Sequence, residues 1–199
     1  MNRLVLSKLL ALAVGIACVF FAFKYNKSAL YETSGSIYGT YWKLVSTEYI
    51  PDPLIQSIKQ ELNRIDFVAS NYKPSSELSI INASPINTEI GISSDMYTIL
   101  KFAEDLHQLS NGYYDVTIGS LIIKEGFGPE SSMTDNAIPV SKKRFNFLNN
   151  NSITKNDNFQ FDLSSIAKGY AVDSISNLLI RANRNNYLID IGGEIIVNG

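Results

Sequence analysis

The run Asp162-Leu163-Ser164-Ser165-Ile166-Ala167-Lys168-Gly169-Tyr170 carries the most concentrated chemistry in this sequence. It passes from a strand-like segment into a helix through small residues, which leaves backbone N–H groups free at the positive helix end. Such an end suits a phosphate. Lys168, one turn further in, can neutralise phosphate charge, and Asp162 can accept a hydrogen bond from a sugar or a ring N–H. A capped helix explains the same residues, with Asp162 or Ser164 as N-cap and Lys168 in solvent. In Asn111-Gly112-Tyr113-Tyr114-Asp115, two aromatics beside a carboxylate can pack a flat ring and fix its polar edge. A helix stop followed by a strand is the plainer account. Tyr72 stacks on a ligand or covers the core. Gly192-Gly193-Glu194 lets a ligand approach closely or simply makes a tight hairpin.

Metal and nucleotide signatures are sparse. His107 is the sole histidine, borders an apolar helix stripe and reads as structural. No second His or Cys stands near enough to pair with it on a metal. No GxxxxGK[ST] loop occurs, and Gly126-Phe127-Gly128 is a lone GxG of little weight.

Several elements must position these groups. Aromatic and branched content predicts a strand over 41–45. Pro51-Asp52-Pro53 opens a helix, with Asp52 as N-cap, whose apolar face is Ile55, Ile58, Leu62 and Ile65. Residues 71–82 read as loop. A second helix starts at Ser94 or Asp95, buries Met96, Ile99, Leu100, Ala103 and Leu106, and ends in a left-handed cap at Asn111-Gly112. Residues 119–139, rich in Gly, Pro and Ser, wind over the surface, and 159–163 alternate like a strand. A third helix from Ser164 or Ser165 turns Val172, Ile175, Leu178 and Leu179 inward. Strands over 187–191 and 194–197 follow, joined through Gly192-Gly193. Helices and strands mix without βαβ alternation, so the fold class is α+β: a mixed sheet with packed helices.

A hydrophobic content of 45% with 18% charged residues suits an ordinary folded domain. At a net charge of −2 the dense basic cluster is Lys142-Lys143-Arg144, read as a solvated turn, so nucleic acid is not an expected partner. Cys18 is the only cysteine, which excludes an internal disulfide, a cysteine zinc site and a thiol nucleophile in the folded part. It lies in the apolar run from Leu9 to Phe23, preceded by Arg3 and Lys8 and ended by Lys24. Residues 1–24 are therefore expected to be a signal peptide or membrane anchor, lipidation at Cys18 being a third option. Residues 25–36 form a linker and 37–199 the domain.

The order of these segments resembles one family. Tyr38-Gly39-Thr40-Tyr41 is similar to a M-G-T-x-[YF] strand, and Tyr72-Lys73-Pro74-Ser75-Ser76-Glu77-Leu78, ending at Asn82, to S-x-Y-x-x-x-S-x-[LI]-x-x-[LIF]-N. Gly112 through Leu121 resembles G-x-[FY]-D-[VI]-T-V-G-P-L. Asp162 through Asp173 resembles D-L-[GS]-[GAT]-[IV]-[AG]-[KE]-G-Y-A-x-D, and Tyr187 through Glu194 resembles Y-L-[VI]-[DN]-[IVL]-G-G-[ED]. The family is ApbE, the FAD:protein FMN transferases, with a T-fold-like domain.

The resemblance implies an exported, Mg²⁺-dependent enzyme on the periplasmic face of a bacterial inner membrane. It cleaves FAD, attaches FMN to a threonine of a partner, typically a membrane redox-pump subunit, and releases AMP. Carried across, Tyr38, Tyr72, Tyr113, Tyr114, Asp115, Asp162 and Lys168 bind FAD, and Ser165 ligates Mg²⁺, by its backbone carbonyl. Tyr38 stands in place of the usual Met, and Ser164-Ser165 in place of the commoner glycine pair. The family's H-x-[DN]-P-x-[ST]-G and D-x-x-[AS]-T segments, which supply a base and further Mg²⁺ ligands, belong beyond residue 199. The resemblance is thus to the N-terminal part of the family. The expectation is an isolated chain that binds FAD weakly and transfers FMN slowly or not at all. Its alternative role is a non-catalytic remnant or FAD-binding module.

Overall fold

A computed structural model describes residues 3–25, 30–128 and 144–199. In chain order it contains α1 (Arg3–Tyr25), β1 (Tyr31–Ile37), β2 (Thr40–Ser46), α2 (Asp52–Ala69), α3 (Glu77–Ala83), β3 (Glu89–Gly91) and α4 (Ser94–Leu109). Then follow α5 (Gly119–Lys124), β4 (Phe145–Asn149), β5 (Ser152–Lys155), α6 (Ser164–Arg181), β6 (Tyr187–Ile191) and β7 (Glu194–Asn198).

Two cores share the helices α2 and α6. An antiparallel sheet of order β1-β2-β6-β7 turns Trp42, Leu44, Ile189 and Ile191 to one face. The period of two along each strand puts them there together. Onto that face pack Ile58, Leu62 and Ile65 of α2, with Val172, Ile175 and Leu179 of α6. The second core gathers Leu78 and Ile81 of α3 with Met96, Ile99 and Leu100 of α4. Ile153 of the small β3-β5-β4 sheet closes it with Phe159 and Phe161. The two phenylalanine rings meet edge to face at 4.8 Å. Helix α6 crosses between the cores. Ile166, in its first turn, belongs to the second core and Ala171 onward to the first, so its N-terminus sits at the seam.

Several elements differ from expectation. The polar stretch 25–36 contains the start of β1 at Tyr31, because every residue of that strand finds a partner on β2. Pro51, not Asp52, is the N-cap of α2, and no side chain caps it. Within 71–82, expected as loop, Ser76 accepts from the Ser79 N–H and starts α3, which buries Leu78 and Ile81. Gly119 opens α5 where surface winding was expected, while 129–139 lie outside the described residues.

No strand follows the α4 stop, and 159–163 is not a strand either; a single bridge joins Ile118 to Gln160. Phe159, Phe161 and Leu163 are buried as alternation requires. The main chain of Phe161, however, bonds to the Asn82 side chain instead of a neighbouring strand. Arg144 is buried and donates to the Thr117 carbonyl at 3.2 Å, contrary to a solvated turn; Lys142 and Lys143 lie outside the described residues. Among the described residues, no helix is long and apolar enough to cross a membrane.

Candidate functional site

The turn into α6 is fixed on every side. The Phe161 N–H donates to Asn82 Oδ1 at 2.7 Å, and Asn82 Nδ2 donates to the Phe161 carbonyl at 3.0 Å. The Asp162 N–H donates to the Val116 carbonyl at 2.8 Å. Asp162 Oδ1 accepts from the Ser164 N–H at 2.9 Å and from the Ser164 hydroxyl, and its Oδ2 accepts from Asn71 Nδ2 at 2.6 Å.

This corrects the expected row of free N–H groups. The Ile166 and Ala167 N–H groups both donate to the Leu163 carbonyl, at 3.0 and 2.9 Å. Among the described residues the Ser165 N–H has no hydrogen-bond partner. Lys168 is not adrift in solvent. Its ammonium donates to the Gly192 carbonyl at 3.2 Å and lies 3.6 Å from Glu194, tying α6 to the β6–β7 turn.

A cavity of about 500 Å³ opens beside this turn, walled by Tyr38, Asp66, Asn71, Tyr72, Ser164 and Lys168. Tyr38 occupies the β1–β2 turn at a positive φ of 51°. A non-glycine residue pays strain there, and its hydroxyl is anchored by donating to the Leu62 carbonyl at 2.9 Å. Burial, reinforced by Asp66 and Glu61, pushes the Tyr38 phenol well above its ordinary range. Tyr72 stands at the rim, 70% exposed.

Tyr114 and Ser165 face a different hollow. Their hydroxyls lie 2.8 Å apart and border a groove of about 800 Å³ between α2, α4 and α6. Burial raises the Tyr114 phenol. Deeper in that groove Arg64 bridges Glu61 and Asp95, and Tyr170 donates to Asp95 at 2.6 Å.

Asp115 turns back on its own chain, accepting from the Thr117 N–H at 2.8 Å and hydroxyl at 2.7 Å. It borders a third hollow of about 230 Å³ with His107 and Arg144. His107 Nδ1 lies 2.7 Å from the Tyr114 carbonyl, a bond that pins the turn after α4. Tyr113 projects into solvent, 94% exposed.

The fold thus gathers Tyr38, Tyr72 and Lys168 on one cavity, with Asp162 behind it through Asn71. Tyr114 and Ser165 lie across the α6 end, while Tyr113 and Asp115 stand apart. Asn71, Asn82 and Asp66 were not singled out from sequence. The asparagines lay in a segment already noted for Tyr72, but nothing in a single chain marks their distant partners.

The ApbE family model matches residues 38–199. The chain belongs to the ApbE family. A relative from Haemophilus influenzae, "FAD:protein FMN transferase", is 34% identical over 158 residues, covering 72% of this chain and 46% of that protein. The Vibrio cholerae protein of the same name is 31% identical over 182 residues, covering 83% of this chain and 54% of that one. The solved Vibrio cholerae flavin transferase ApbE superposes with a TM-score of 0.77 at 28% identity, covering 86% of this chain and 60% of that one. The apo flavinyl transferase of Pseudomonas stutzeri, 21% identical with a TM-score of 0.76, supports the ApbE fold alone. The α+β class holds, and this ApbE chain spans about half the length of the curated relatives it matches.

Proposed function

We propose that this chain acts in the transfer of FMN from FAD to a threonine hydroxyl of a partner protein, in a reaction that needs Mg²⁺. The observation that carries the reading is the Asp162 carboxylate, locked at the seam of the two cores beside a cavity walled by Tyr38, Tyr72 and Lys168. Aromatic rings suit a flat flavin or adenine, and the Lys168 ammonium suits the diphosphate between them. In the reaction the bond from the FMN phosphorus to the AMP oxygen breaks, and AMP leaves. A phosphoester to the acceptor oxygen forms, and the hydroxyl proton passes to a base.

Mg²⁺ would supply charge neutralisation at the phosphate oxygens. It wants near-octahedral oxygen coordination. Among the described residues no group of three or more His, Cys, Asp or Glu is placed to hold a metal. The Ser165 carbonyl is the one ligand proposed here, so the described residues do not complete a metal shell. Their task is to bind and orient FAD.

Incubating the chain with FAD and Mg²⁺ while measuring AMP tests the reading. Metal-dependent AMP release supports transfer. FAD uptake without AMP leaves a flavin-binding module, and no uptake of FAD sinks both.

We further propose that α1 is an export leader, cleaved or retained, placing the domain at the outer face of a bacterial inner membrane, where a membrane redox-pump subunit is the acceptor. Leu10, Phe20, Phe21 and Phe23 stand exposed on all sides of α1, and Lys24 closes it. A reporter active only outside the cytoplasm, fused after Gly199, should be active; silence would refute export.

A further inference from the structure

Counting acceptor sites at Asp162 gives a role to a residue that no motif marks. A carboxylate oxygen accepts about two hydrogen bonds in good geometry. Oδ1 already takes the Ser164 N–H and the Ser164 hydroxyl. Oδ2 takes Asn71 Nδ2 at 2.6 Å, which leaves it one acceptor position. The orientation of the Asn71 amide follows from chemistry, since only its NH₂ can donate to a carboxylate. Its own Oδ1 is buried and has no partner among the described residues. That atom costs free energy where it sits, so the contact to Asp162 offsets a real penalty.

Asn71 also borders the cavity shared by Tyr38, Tyr72 and Lys168, so the amide stands between that space and the carboxylate. We infer that Asn71 is a positioning residue: it holds the Asp162 carboxylate and restricts it to accepting one N–H or O–H from the bound flavin dinucleotide. The inference rests on the flavin reading above. Asn71 acts through Asp162. It sets how many ligand donors can be accepted and from which direction.

The full chain is titrated with FAD as wild type, Asn71→Ala, Asn71→Asp, Asp162→Ala and the Asn71→Ala/Asp162→Ala double variant, with thermal unfolding of each. Asn71→Ala should weaken FAD about tenfold, the scale of one hydrogen bond to a charged group. Asn71→Asp, though nearly isosteric, should weaken it more, because a second carboxylate faces Asp162. A merely structural asparagine would show these losses in thermal unfolding and leave the FAD affinity of the folded chains unchanged. The double variant should bind no worse than Asp162→Ala alone.

Additive losses, or an Asn71→Asp chain that binds like wild type, would overturn the assignment. The side-chain amide signals of Asn71 in a nitrogen–proton NMR spectrum keep the two claims apart. They should move on Asp162→Ala whether or not FAD binds, and amides that stay put overturn the clamp. A wild type that ignores FAD while those signals move refutes the flavin reading and leaves the clamp standing.

Discussion

The turn that begins α6 and the turn that follows α4 hold similar residues, a carboxylate next to hydroxyls and aromatics, but different neighbours secure them. Asp162 and the adjoining Phe161 are held by Asn71 and Asn82, which are 91 and 79 residues away in sequence. Asp115 is held by Thr117 two residues on, and the Tyr114 carbonyl by His107 seven residues back. One turn takes its partners from segments far off in the chain. The other holds its carboxylate locally, while Tyr114, Val116 and Thr117 around it reach Ser165, Asp162 and Arg144. The difference teaches where the site is preorganised: at Asp162 and Tyr38, whose polar groups the protein holds save one acceptor position of Asp162, and not at Tyr113 and Tyr72, which face solvent.

Phe161→Ala should break that contrast most severely. The ring is 1% exposed and packs against Phe145 at 5.1 Å and Phe159 at 4.8 Å. Its loss should cost about 3–5 kcal/mol in urea unfolding and loosen the Asp162 turn with it. Asn82→Ala comes next. It strips partners from both the N–H and the carbonyl of Phe161, for about 1–3 kcal/mol. If Asn82→Ala proves as mild as an exposed surface change, the α6 turn is local after all and the distinction collapses.

Much of the local turn was legible in sequence, and the reason is range. Asn111 and Gly112 adopt the positive φ values of 53° and 86° that an Asn-Gly helix stop implies. The β6–β7 hairpin and the inward face of α6 likewise follow from residues a few positions apart. The α6 turn was read only in part. Asp162 and Lys168 stood out by type, yet the free N–H groups credited to that turn are largely taken by the Leu163 carbonyl. The strand expected over 159–163 failed for a related reason. Alternation reports which side chains are buried, and cannot report that an asparagine side chain, not a strand, satisfies the main chain. The short β3, β4 and β5 strands carry too few residues for any period to show.

Alkaline titration sharpens the comparison by a smaller amount. Tyr38 and Tyr170 have folded phenol pKa values above the ordinary 10, Tyr170 reaching about 12, chiefly through burial. The folded state therefore binds more protons than the unfolded chain above pH 10. Their stabilisation is complete below that value and is lost as pH climbs toward 12. Lys155 opposes them. Desolvation lowers its ammonium beneath 10.5, so it adds stability as pH rises toward that value. Unfolding midpoints measured between pH 9 and 12 should fall less for Tyr38→Phe than for wild type, and more steeply for Lys155→Met. Equal slopes for all three would remove these groups from the pH response.

The least disruptive change probes the exposed turn itself. Tyr113 is 94% exposed and has almost nothing to lose on truncation, so Tyr113→Ala should leave unfolding free energy within about 0.5 kcal/mol of wild type. Its expected consequence appears only with ligand present. An aromatic contact to a flat ring is worth about 0.5–1.5 kcal/mol, so FAD affinity should drop by roughly two- to tenfold if this ring closes onto the flavin dinucleotide. Tyr72→Ala, at the rim of the Tyr38 cavity, supplies the matched control: equal stability, with a loss of FAD affinity of the same order. A Tyr113→Ala chain that binds FAD like wild type while Tyr72→Ala does not would confine the ligand to the Tyr38 side of α6.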